Sequence, residues 1–455
     1  ALAGADLDRA TPLDQLAAKN APAPGATLKL YRTGASAMRP LAPLLLKYRA
    51  RQGKEDPSRQ GERLGIASRP RPDGRLVWVH AASVGETNVA LPVIEALLAQ
   101  HADAHVLLTT GTTTSAALAS RRLPERAFHQ YVPLDSTQYA EAFLAHWKPN
   151  LAVFTESEIW PNLILSASAR GVPLVLINAR MSPRSMRRWQ RFARIGRPLF
   201  SRFSTVLAQN ERIARSIRFL GAPNVIVAGN LKIDAPPPPI DAEALAELRA
   251  AIMDRPLLLA SSTHAGEEAI VAEADRVLRA KLPDLLTIIV PRHPDRAGQI
   301  EADLRAAGST RILRRSLARV PARETEIYIA DTIGELGTFY ALAPVAFIGG
   351  SLVRHGGQNP IEAVRHGSAV LAGPHTHNFH DAYAALLQQN GAITVNTAAE
   401  LAEAAGRLIG DASQRAGLLR GAEAALATLS GAMTKTLAAL EPYLEGDTGA
   451  AARVP

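Results

Sequence analysis

The 455-residue sequence contains no cysteine. This absence excludes disulfide bonds and thiolate metal sites, and it fits a protein of a reducing compartment. Aromatic residues are also scarce, at 5% of the chain. Proteins that bind single-stranded nucleic acid stack the bases on aromatic side chains, so this composition disfavours that class. We therefore expect no nucleic acid among the partners.

Long apolar runs are missing as well. No segment reaches the roughly 18 uninterrupted apolar residues of a membrane span. The nearest approach is PLAPLLL at residues 40–46. Residues 1–26 lack the basic start and apolar core of a signal peptide. They are rich in alanine and proline, and we expect them to form a loosely ordered tail.

Several catalytic motifs are absent too. No GxGxxG follows a strand-like run, which disfavours a dinucleotide-dependent oxidoreductase. No GxSxG elbow occurs, which disfavours an α/β-hydrolase. The only Asp-x-Asp pair, Asp6 and Asp8, lies in the expected tail, and no other segment has the spacing of metal ligands. The sequence predicts neither a metal ion nor a cofactor.

Positive charge is abundant: the formal net charge is +9 and the sequence pI is about 10.0. Such a field favours anionic partners, whether nucleic acid, an acidic membrane or a phosphorylated substrate. Residues 27–52 mix lysine and arginine with leucine and tyrosine. This mixture suits a membrane interface and equally a helical segment packed on the protein's own surface. Pro40 and Pro43 interrupt any single long helix there.

A second basic segment, residues 178–197, contains seven arginines and begins with Arg180 and Arg184. A charge run of this kind is most often a solvated helix face. Because guanidinium groups bind phosphate and the chain already carries net positive charge, we interpret it as a patch for phosphate or acidic lipid.

Strand-like apolar runs alternate with helical patterns in both halves of the chain, which predicts mostly parallel sheets with right-handed crossovers. The runs of the first half are 76–81, 105–110, 151–156, 173–178, 205–210 and 224–230, and those of the second are 256–262, 286–293, 326–332, 345–351 and 368–374. The sequence APPPP at 235–239 predicts a stiff linker. We therefore expect an α/β protein of two doubly wound domains facing a cleft, 27–234 and 240–455.

The most informative stretch is LVWVHAASVGET at residues 76–87, which predicts a strand, a turn of small residues and a helix from Asn88 through Leu98. Glu86 lies at or near the start of that helix. A carboxylate there can stabilise the helix dipole, or it can act as a general base at the carboxyl end of a strand. Position alone favours the first interpretation.

TESEIWPN, residues 155–162, follows another predicted strand. Glu156 and Glu158 can orient a sugar or a base at the rim of a cleft. Alternatively, they can form a capping cluster at a helix start, with Trp160 as packing. Taken alone, the motif favours capping.

Three motifs of the second half also follow predicted strands. Ser262 and Thr263 lie in SSTHAGEE, a turn that can hold a phosphate or form an ordinary helix start. Arg292 and His293 can clamp a phosphate or carboxylate, or occupy a surface turn. In IGGSLVRHGGQNPIEA, residues 348–363, paired glycines allow close approach of backbone to a ligand. There, Asn359 and Glu362 open a helix that can receive a phosphate and a ribose diol, or simply be a helix start.

The chain resembles the 3-deoxy-D-manno-octulosonic acid (Kdo) transferases of Gram-negative bacteria in an ordered set of motifs spanning roughly residues 28–440: HAASVGE, TESEIWPN, GNLKID, STHAGEE, PRH, IGEL and GGSLVRHGGQNPIE. The resemblance implies a GT-B fold with an acceptor-binding first domain and a second domain that binds the donor, CMP-Kdo. It implies a lipid A precursor of the lipid IVA type as acceptor. It further implies inverting, metal-independent transfer at the cytoplasmic face of the inner membrane.

The resemblance also implies roles for individual residues. Glu86 matches the catalytic base, and Glu156 a supporting acid at the cleft rim. We place Ser83, Gly85, Glu158, Arg180 and Arg184 with them on the acceptor side. The donor-side positions are Ser262, Thr263, Arg292, His293, Gly334, Glu335, Leu336, Gly356, Gly357, Asn359 and Glu362. Among these, residues 334–336 match the loop whose backbone reads cytosine.

The chain departs from the family pattern at a few positions. Gln358 stands where the family usually has histidine, Arg354 where it commonly has proline, and Glu362 is followed by Ala-Val instead of Pro-Ala. The segment 1–52 is less apolar than the usual membrane anchor. Two alternatives stay open: a GT-B transferase that uses another nucleotide sugar, and a non-catalytic basic protein that binds anionic lipid or nucleic acid.

Overall fold

The computed structural model describes residues 21–445. Most of the predicted tail, including Asp6 and Asp8, lies outside the described residues. The described chain divides into two compact units. The first comprises residues 21–235 and 431–445, and the second comprises Pro236–Ser430.

The first unit is built on a parallel seven-stranded sheet with the order β3-β2-β1-β4-β5-β6-β7. Alternate residues of each strand enter two apolar layers, as Leu76 and Trp78 do on one face and Val77 and Val79 on the other. Helices cover both faces of the sheet, and the sequences of these strands are therefore continuous apolar runs. The strands are β1 Arg75–His80, β2 Ala104–Thr110, β3 Ala127–Tyr131, β4 Leu151–Thr155, β5 Leu174–Ala179, β6 Thr205–Ala208 and β7 Val225–Val227.

Many helices of this unit begin directly after a polar residue whose side chain accepts a backbone N–H of the first turn. Ser83, Thr112, Ser136, Ser182 and Asn210 act in this way. The helices are α1 Ala26–Ala37, α2 Ala42–Arg51, α3 Gln60–Arg63, α4 Val84–Gln100, α5 Thr113–Arg122, α6 Thr137–Trp147, α7 Pro161–Ala169, α8 Pro183–Arg191, α9 Ala193–Phe200, α10 Glu211–Phe219 and α11 Leu231–Asp234.

The second unit contains a parallel seven-stranded sheet with the order β10-β11-β9-β8-β12-β13-β14. Its strands are β8 Leu257–Thr263, β9 Leu286–Pro291, β10 Ile312–Arg314, β11 Ile327–Ile329, β12 Val345–Ile348, β13 Ala369–Ala372 and β14 Ala392–Thr394. Its helices are α12 Ala242–Ile252, α13 Glu267–Arg279, α14 Ala297–Ala306, α15 Leu336–Leu342, α16 Ile361–Arg365, α17 His380–Gln388, α18 Ala398–Gly410 and α19 Ala412–Leu429. The α/β fold class predicted from the sequence is confirmed.

The last helix, α20 Ala432–Leu440, corrects the predicted range 240–455 because it belongs to the first unit. Ala432, Leu440 and Leu444 share an apolar layer with residues of α4. The Asp234 carboxylate accepts the backbone N–H groups of Gly431 at 3.1 Å and Met433 at 2.7 Å, which caps the start of α20. Burial of this apolar face and the cap attach the helix to the first sheet.

The basic N-terminal segment forms two helices, α1 and α2, with a 3₁₀ turn at Arg39–Leu41 between them. This interruption agrees with the expectation from Pro40 and Pro43. Leu28 and Leu46 are buried, whereas Leu30, Leu44 and Tyr48 are 73%, 64% and 60% exposed. Within the described part of the chain, no helix combines the length and hydropathy needed to cross a bilayer.

Candidate active site

The predicted functional residues of each unit gather where the strand order of its sheet reverses. In the first sheet β1 and β4 are neighbours, and Glu86 and Glu156 follow them. In the second sheet β8 and β12 are neighbours, and the Ser262 turn and the glycine-rich loop occupy their carboxyl ends. Parallel α/β sheets bind ligands at the carboxyl ends of strands beside such a reversal. Each unit therefore offers one candidate site.

Glu86 lies in the first turn of α4, which begins four residues before the predicted start at Asn88. Its carboxylate accepts the backbone N–H of Ala82 at 2.7 Å and the hydroxyl of Ser83 at 3.1 Å. The Ser83 Oγ in turn accepts the Glu86 N–H at 3.4 Å. These reciprocal bonds resemble a capping box. The structure therefore confirms the first interpretation, in which Glu86 stabilises the start of its helix.

The same carboxylate is also buried and surrounded by acids. Burial, the charge of Glu158 and, after it, the charge of Glu156 raise the pKa of Glu86 to about 7. A carboxyl group with this pKa is ionised in part of the population at neutral pH and binds a proton far more readily than an ordinary glutamate. Glu86 therefore caps its helix and also has the proton affinity of a general base.

Glu156 adopts a left-handed backbone conformation, with φ of 52°, directly after β4. Such a φ is uncommon outside glycine, and non-glycine residues with this strain cluster at functional sites. Its carboxylate forms a 2.7 Å ion pair with Lys232 and faces the Asn178 amide, which lies 3.4 Å away. Asn178 also has a positive φ and accepts the backbone N–H of Leu231. Lys232 thus neutralises Glu156 at the carboxyl edge of the sheet.

Glu158 accepts the indole N–H of Trp160 at 2.7 Å, and its carboxylate lies 3.6 Å from the ring nitrogen of His80. The interpretation of Glu156 and Glu158 as a capping cluster is wrong. Helix α7, which follows them, is capped from elsewhere: the Asp135 carboxylate accepts the N–H groups of Asn162 and Leu163.

The other acceptor-side positions surround this cluster less closely. Gly85 is in the first turn of α4, where an added Cβ would have only the Ser83 hydroxyl nearby, at 3.9 Å. Arg180 follows β5, is exposed, and donates its backbone N–H to the carbonyl of Glu156 at 3.2 Å. Arg184 is exposed on α8. Their acceptor roles stay predictions.

In the second unit, the turn after β8 is held by carboxylates of the next helix. Ser262 has a positive φ of 52°, and the Thr263 hydroxyl donates to Glu268 at 3.0 Å. Fully buried Glu267 accepts four backbone N–H groups, from His264, Gly350, Ser351 and Leu352, at 2.6–3.0 Å. This carboxylate ties the turn after β8 to the loop after β12. The Thr263 side chain is already engaged within the protein.

Arg292 and His293 follow β9 and are exposed. Arg292 donates its backbone N–H to the Thr263 carbonyl at 3.0 Å, which places it beside the Ser262 turn. Glu362, in the first turn of α16, accepts the Asn359 side-chain N–H at 3.0 Å. Burial raises the pKa of Glu362, and the Asn359 hydrogen bond and the Arg292 charge oppose that shift. The structure thus brings Arg292, Asn359 and Glu362 together.

Close packing and backbone conformation within the protein explain why glycine occupies these paired positions. An added Cβ at Gly349 would lie 2.5 Å from the Ser262 carbonyl oxygen, and one at Gly356 would lie 2.5 Å from the Asn378 side chain. Gly350, Gly356 and Gly357 all have positive φ. Only glycine adopts these conformations without strain. Ligand contact by Gly356 and Gly357 stays a prediction.

Gln358 is one of the departures from the family pattern. Its side-chain nitrogen is 3.0 Å from His264 Nε2. Burial, followed by the neighbouring His355, lowers the pKa of His264 to about 4, so the ring is neutral at pH 7 and its Nε2 can accept a hydrogen bond from the Gln358 side-chain N–H. The substitution therefore leaves this pair of side chains hydrogen-bonded.

The loop that contains Gly334, Glu335 and Leu336 is fixed by a buried arginine. Glu335 forms two charge-assisted hydrogen bonds with Arg315 and also accepts the Thr332 hydroxyl. These bonds, led by those from Arg315, lower the pKa of Glu335 despite partial burial. Gly334 has a φ of 94°, and Leu336 begins α15. The Glu335 side chain therefore holds the loop, and ligand contact by the backbone of residues 334–336 stays a prediction.

Sequence reasoning missed four residues that organise these sites: His80, Lys232, Glu267 and Arg315. Three of them lie within or beside quoted motifs, in HAASVGE, GNLKID and STHAGEE. A polar residue at the end of an apolar strand was the available signal for His80. Arg315 follows a short strand and carried no signal. Among the described residues, no three His, Asp or Glu side chains are grouped as a metal site.

Comparison with known proteins gives consistent results. A family model described as 3-deoxy-D-manno-octulosonic-acid transferase (kdotransferase) matches residues 58–235. A probable mitochondrial 3-deoxy-D-manno-octulosonic acid transferase of Arabidopsis thaliana is 36% identical over 391 residues, which cover 84% of this chain and 88% of that protein. The 3-deoxy-D-manno-octulosonic acid transferase of Bordetella pertussis is 35% identical over 429 residues, or 90% and 98% of the two chains.

A solved glycosyltransferase of Rickettsia africae superposes with a TM-score of 0.57 at 11% identity, covering 83% of this chain and all of that one. At this identity the likeness concerns the fold alone. It agrees with the GT-B architecture of two Rossmann-like α/β units.

Proposed function

The chain belongs to the 3-deoxy-D-manno-octulosonic acid transferase family and is a glycosyltransferase, and on that premise we propose that it transfers Kdo from CMP-Kdo to a lipid A precursor in lipopolysaccharide biosynthesis. The observation that carries the proposal is the Glu86 carboxylate. It lies buried at the carboxyl end of β1, held by Ala82 and Ser83, with a pKa raised to about 7 by burial first and then by neighbouring acids.

Glu86 acts as the general base in this proposal. A sugar hydroxyl is a poor nucleophile until its proton is removed during attack. As the acceptor oxygen bonds to the anomeric carbon of Kdo, its proton passes to Glu86, and the bond from that carbon to the phosphate oxygen breaks. CMP leaves with the bonding electrons. A single displacement of this kind inverts the anomeric configuration.

The second unit binds the donor. Arg292 supplies an exposed guanidinium beside the Ser262 turn, suited to a phosphate. Glu362, oriented by Asn359, can accept hydrogen bonds from a ribose diol. The backbone of residues 334–336, fixed through Arg315, can pair with a cytosine edge. Positive charge and backbone N–H groups stabilise the departing phosphate in this scheme, so we propose that transfer needs no metal ion or cofactor.

A basic and apolar surface of the first unit receives the acceptor. Leu30, Leu44 and Tyr48 are exposed on α1 and α2 among lysine and arginine residues. Helix α8 adds exposed Arg187 and Arg188. Helices α1 and α8 contact the same apolar layer of the sheet, through Leu28 on α1 and through Met186 and Trp189 on α8. Charge would attract a phosphorylated lipid precursor and an anionic membrane, and apolar burial would retain them. We propose the cytoplasmic face of the inner membrane as its location.

Mass spectrometry of a lipid A precursor incubated with CMP-Kdo and the full chain tests the function. We expect the acceptor to gain the mass of Kdo and CMP to be released, without added divalent metal and in the presence of a chelator. Turnover only with a uridine diphosphate sugar would identify a different GT-B transferase. Salt-sensitive binding of lipid with no turnover of any nucleotide sugar would identify a binding protein.

A further inference from the structure

His80, the last residue of β1, is wholly buried and has no part in the mechanism above. Its Nδ1 is 2.9 Å from the Thr109 hydroxyl, which also accepts the Trp78 indole N–H at 2.8 Å. The hydroxyl still has its own proton to donate, and its other acceptor, the Val79 carbonyl, is more distant at 3.4 Å. The shorter contact favours donation of this proton to Nδ1, which places an imidazole proton on Nε2.

The Nε2 atom of His80 lies near the Glu158 carboxylate. The nitrogen is 3.6 Å from Glu158 Oε2 and has no hydrogen-bond partner among the described residues. The rings of Phe154 and Trp160 meet the imidazole edge-on at 5.8 and 6.0 Å. Apolar rings and the Thr109 hydroxyl thus surround the rest of the imidazole. Glu158 is the acidic group available to it.

Glu86 and Glu158 therefore occupy contrasting environments. Glu158 accepts the Trp160 indole N–H at 2.7 Å and lies 3.6 Å from His80 Nε2, and both groups favour its ionised form. Glu86 accepts the Ala82 N–H at 2.7 Å, the Ser83 hydroxyl at 3.1 Å and the more distant Thr155 hydroxyl at 3.5 Å, and it experiences the charge of Glu158. The third acid, Glu156, is neutralised by Lys232 and contributes less. Two neighbouring carboxyl groups with contrasting environments take on different protonation roles.

We propose that His80 is a positioning residue that keeps Glu158 ionised and thereby assigns the proton shared by this acidic cluster to Glu86. The lowered pKa of Glu158 agrees: burial alone would raise it, but the interactions with His80, followed by that with Trp160, reverse the shift. Only the catalytic consequence rests on the proposed function. If Glu86 is the base, His80 and Glu158 set the pH above which transfer proceeds.

Carbon-13 NMR of the full chain, labelled at the glutamate carboxyl carbons and free of substrate, measures the proton assignment directly. The Glu86 signal is identified by its loss in Glu86→Gln. We expect its titration midpoint near the value of about 7 given by burial and the adjacent acids. In Glu158→Gln the midpoint falls by about one pH unit, because a like charge is removed.

Two further variants address His80 itself. His80→Leu removes the donor, so that Glu158 binds a proton more readily and the Glu86 midpoint falls. Thr109→Val removes the group that directs the imidazole proton and lowers the Glu86 midpoint in the same direction, which covers the case in which His80→Leu does not fold. Glu95→Gln is the matched control, since Glu95 is an exposed acid on the same helix, α4. It leaves the Glu86 midpoint unchanged.

Transfer kinetics separate this proposal from the proposed function. In Glu158→Gln the acidic limb of kcat/KM with CMP-Kdo moves to lower pH by the same amount as the NMR midpoint. An unchanged Glu86 midpoint in Glu158→Gln, or in every folded His80 and Thr109 variant, overturns the proposal. Shifted midpoints with no Kdo transfer by the wild-type chain would instead support the proton assignment and reject the function.

Discussion

At the scale of the residue, Glu86 stabilises the start of its helix and also has the raised pKa that the proposed base requires. It caps its own helix through Ala82 and Ser83, and burial beside Glu158 gives it a high proton affinity. The capping bonds fix the direction of the carboxylate, which a base requires in order to meet a hydroxyl at hydrogen-bond distance. Helix capping therefore positions the group for chemistry.

Replacing Glu86 by glutamine preserves its shape and most of its hydrogen bonds while removing the base. We expect Glu86→Gln to slow Kdo transfer by about 10²–10⁴-fold. CMP affinity, measured by calorimetry, should stay within about twofold of the wild-type value, because the variant leaves the proposed nucleotide contacts of the second unit unchanged. Glu95→Gln on the same helix should leave both quantities unchanged. A Glu86→Gln enzyme with near wild-type turnover would show that the residue only caps α4, and the base would then be sought at Glu156 or Glu158.

The raised pKa of Glu86 also has a consequence for stability. Its folded pKa of about 7, raised first by burial, lies above the ordinary glutamate pKa of 4.5. Below the lower value both states bind the proton and no penalty exists. As pH rises towards about 7, only the unfolded state ionises freely, so the folded state loses stability. At pH 8, the unfolding free energy of Glu86→Gln should therefore exceed that of wild type by up to about 2–3 kcal/mol. The variant should accordingly unfold at a higher temperature.

Thermal unfolding across the pH range checks this expectation. The difference between wild type and Glu86→Gln should shrink below pH 7 and vanish near pH 4. A constant difference at all pH values would mean that the substitution acts through packing instead of proton binding.

At the scale of the element, the strand ends are held by carboxylates that accept backbone N–H groups. Glu267 accepts four of them and joins the turn after β8 to the loop after β12. Arg315 fixes the loop before α15 through Glu335. These interactions preorganise backbone at the carboxyl edge of the second sheet, which leaves Arg292 and Glu362 as side chains able to respond to a ligand.

Arg292→Ala tests that distinction. It removes the proposed charge-assisted contact with the donor phosphate, worth about 1.5–3 kcal/mol, so the Kd of CMP measured by calorimetry should rise about 10–150-fold. Glu362→Ala should also weaken CMP, through lost ribose hydrogen bonds. Arg311→Ala is the control, because Arg311 is an exposed arginine of the same unit that faces Glu326. Equal CMP affinity in all three variants would move the donor site elsewhere.

At the scale of the whole molecule, the net charge of +9 is concentrated on identifiable surfaces of the first unit. Helix α8 contacts one apolar layer of the first sheet, through Met186 and Trp189, and α5 contacts the other, through Ala119. Arginines on these two helices therefore lie on opposite faces of one sheet. Substituting the arginines of one helix at a time separates the effect of a particular face on membrane binding from the effect of net charge.

Arg187→Glu combined with Arg188→Glu should reduce co-sedimentation with anionic vesicles at physiological salt, since each basic residue near such a surface contributes about 1 kcal/mol. Arg121→Glu combined with Arg122→Glu changes the net charge equally on the other face and should have little effect. An equal loss of vesicle binding in the two double variants would indicate that the protein is attracted by its net charge alone. Unchanged binding in both would exclude this surface as the membrane contact.

The sequence by itself determined the α/β class, eleven strands and the motifs that follow them, because buried parallel strands require apolar runs and ligand-binding turns require small and polar residues. It did not reveal β3, β10 or β14, which lie at sheet edges. Edge strands pair on one side only, and short ones such as Ile312–Arg314 lack a distinct pattern. Nor did the Ala/Leu-rich pattern of α20 specify the sheet on which it packs.

Only the tertiary structure decided how the acids differ. Glu86, Glu156 and Glu158 are equivalent as letters, but folding buries the first, pairs the second with Lys232 and places the third beside His80. Proton affinity depends on burial and on neighbouring charge, and those neighbours come from β1, from the segment after β4 and from α11, which are distant in the chain. A sequence motif can therefore locate the carboxylates, whereas their division into one with a raised pKa, one held in an ion pair and one with a lowered pKa arises when the strands assemble.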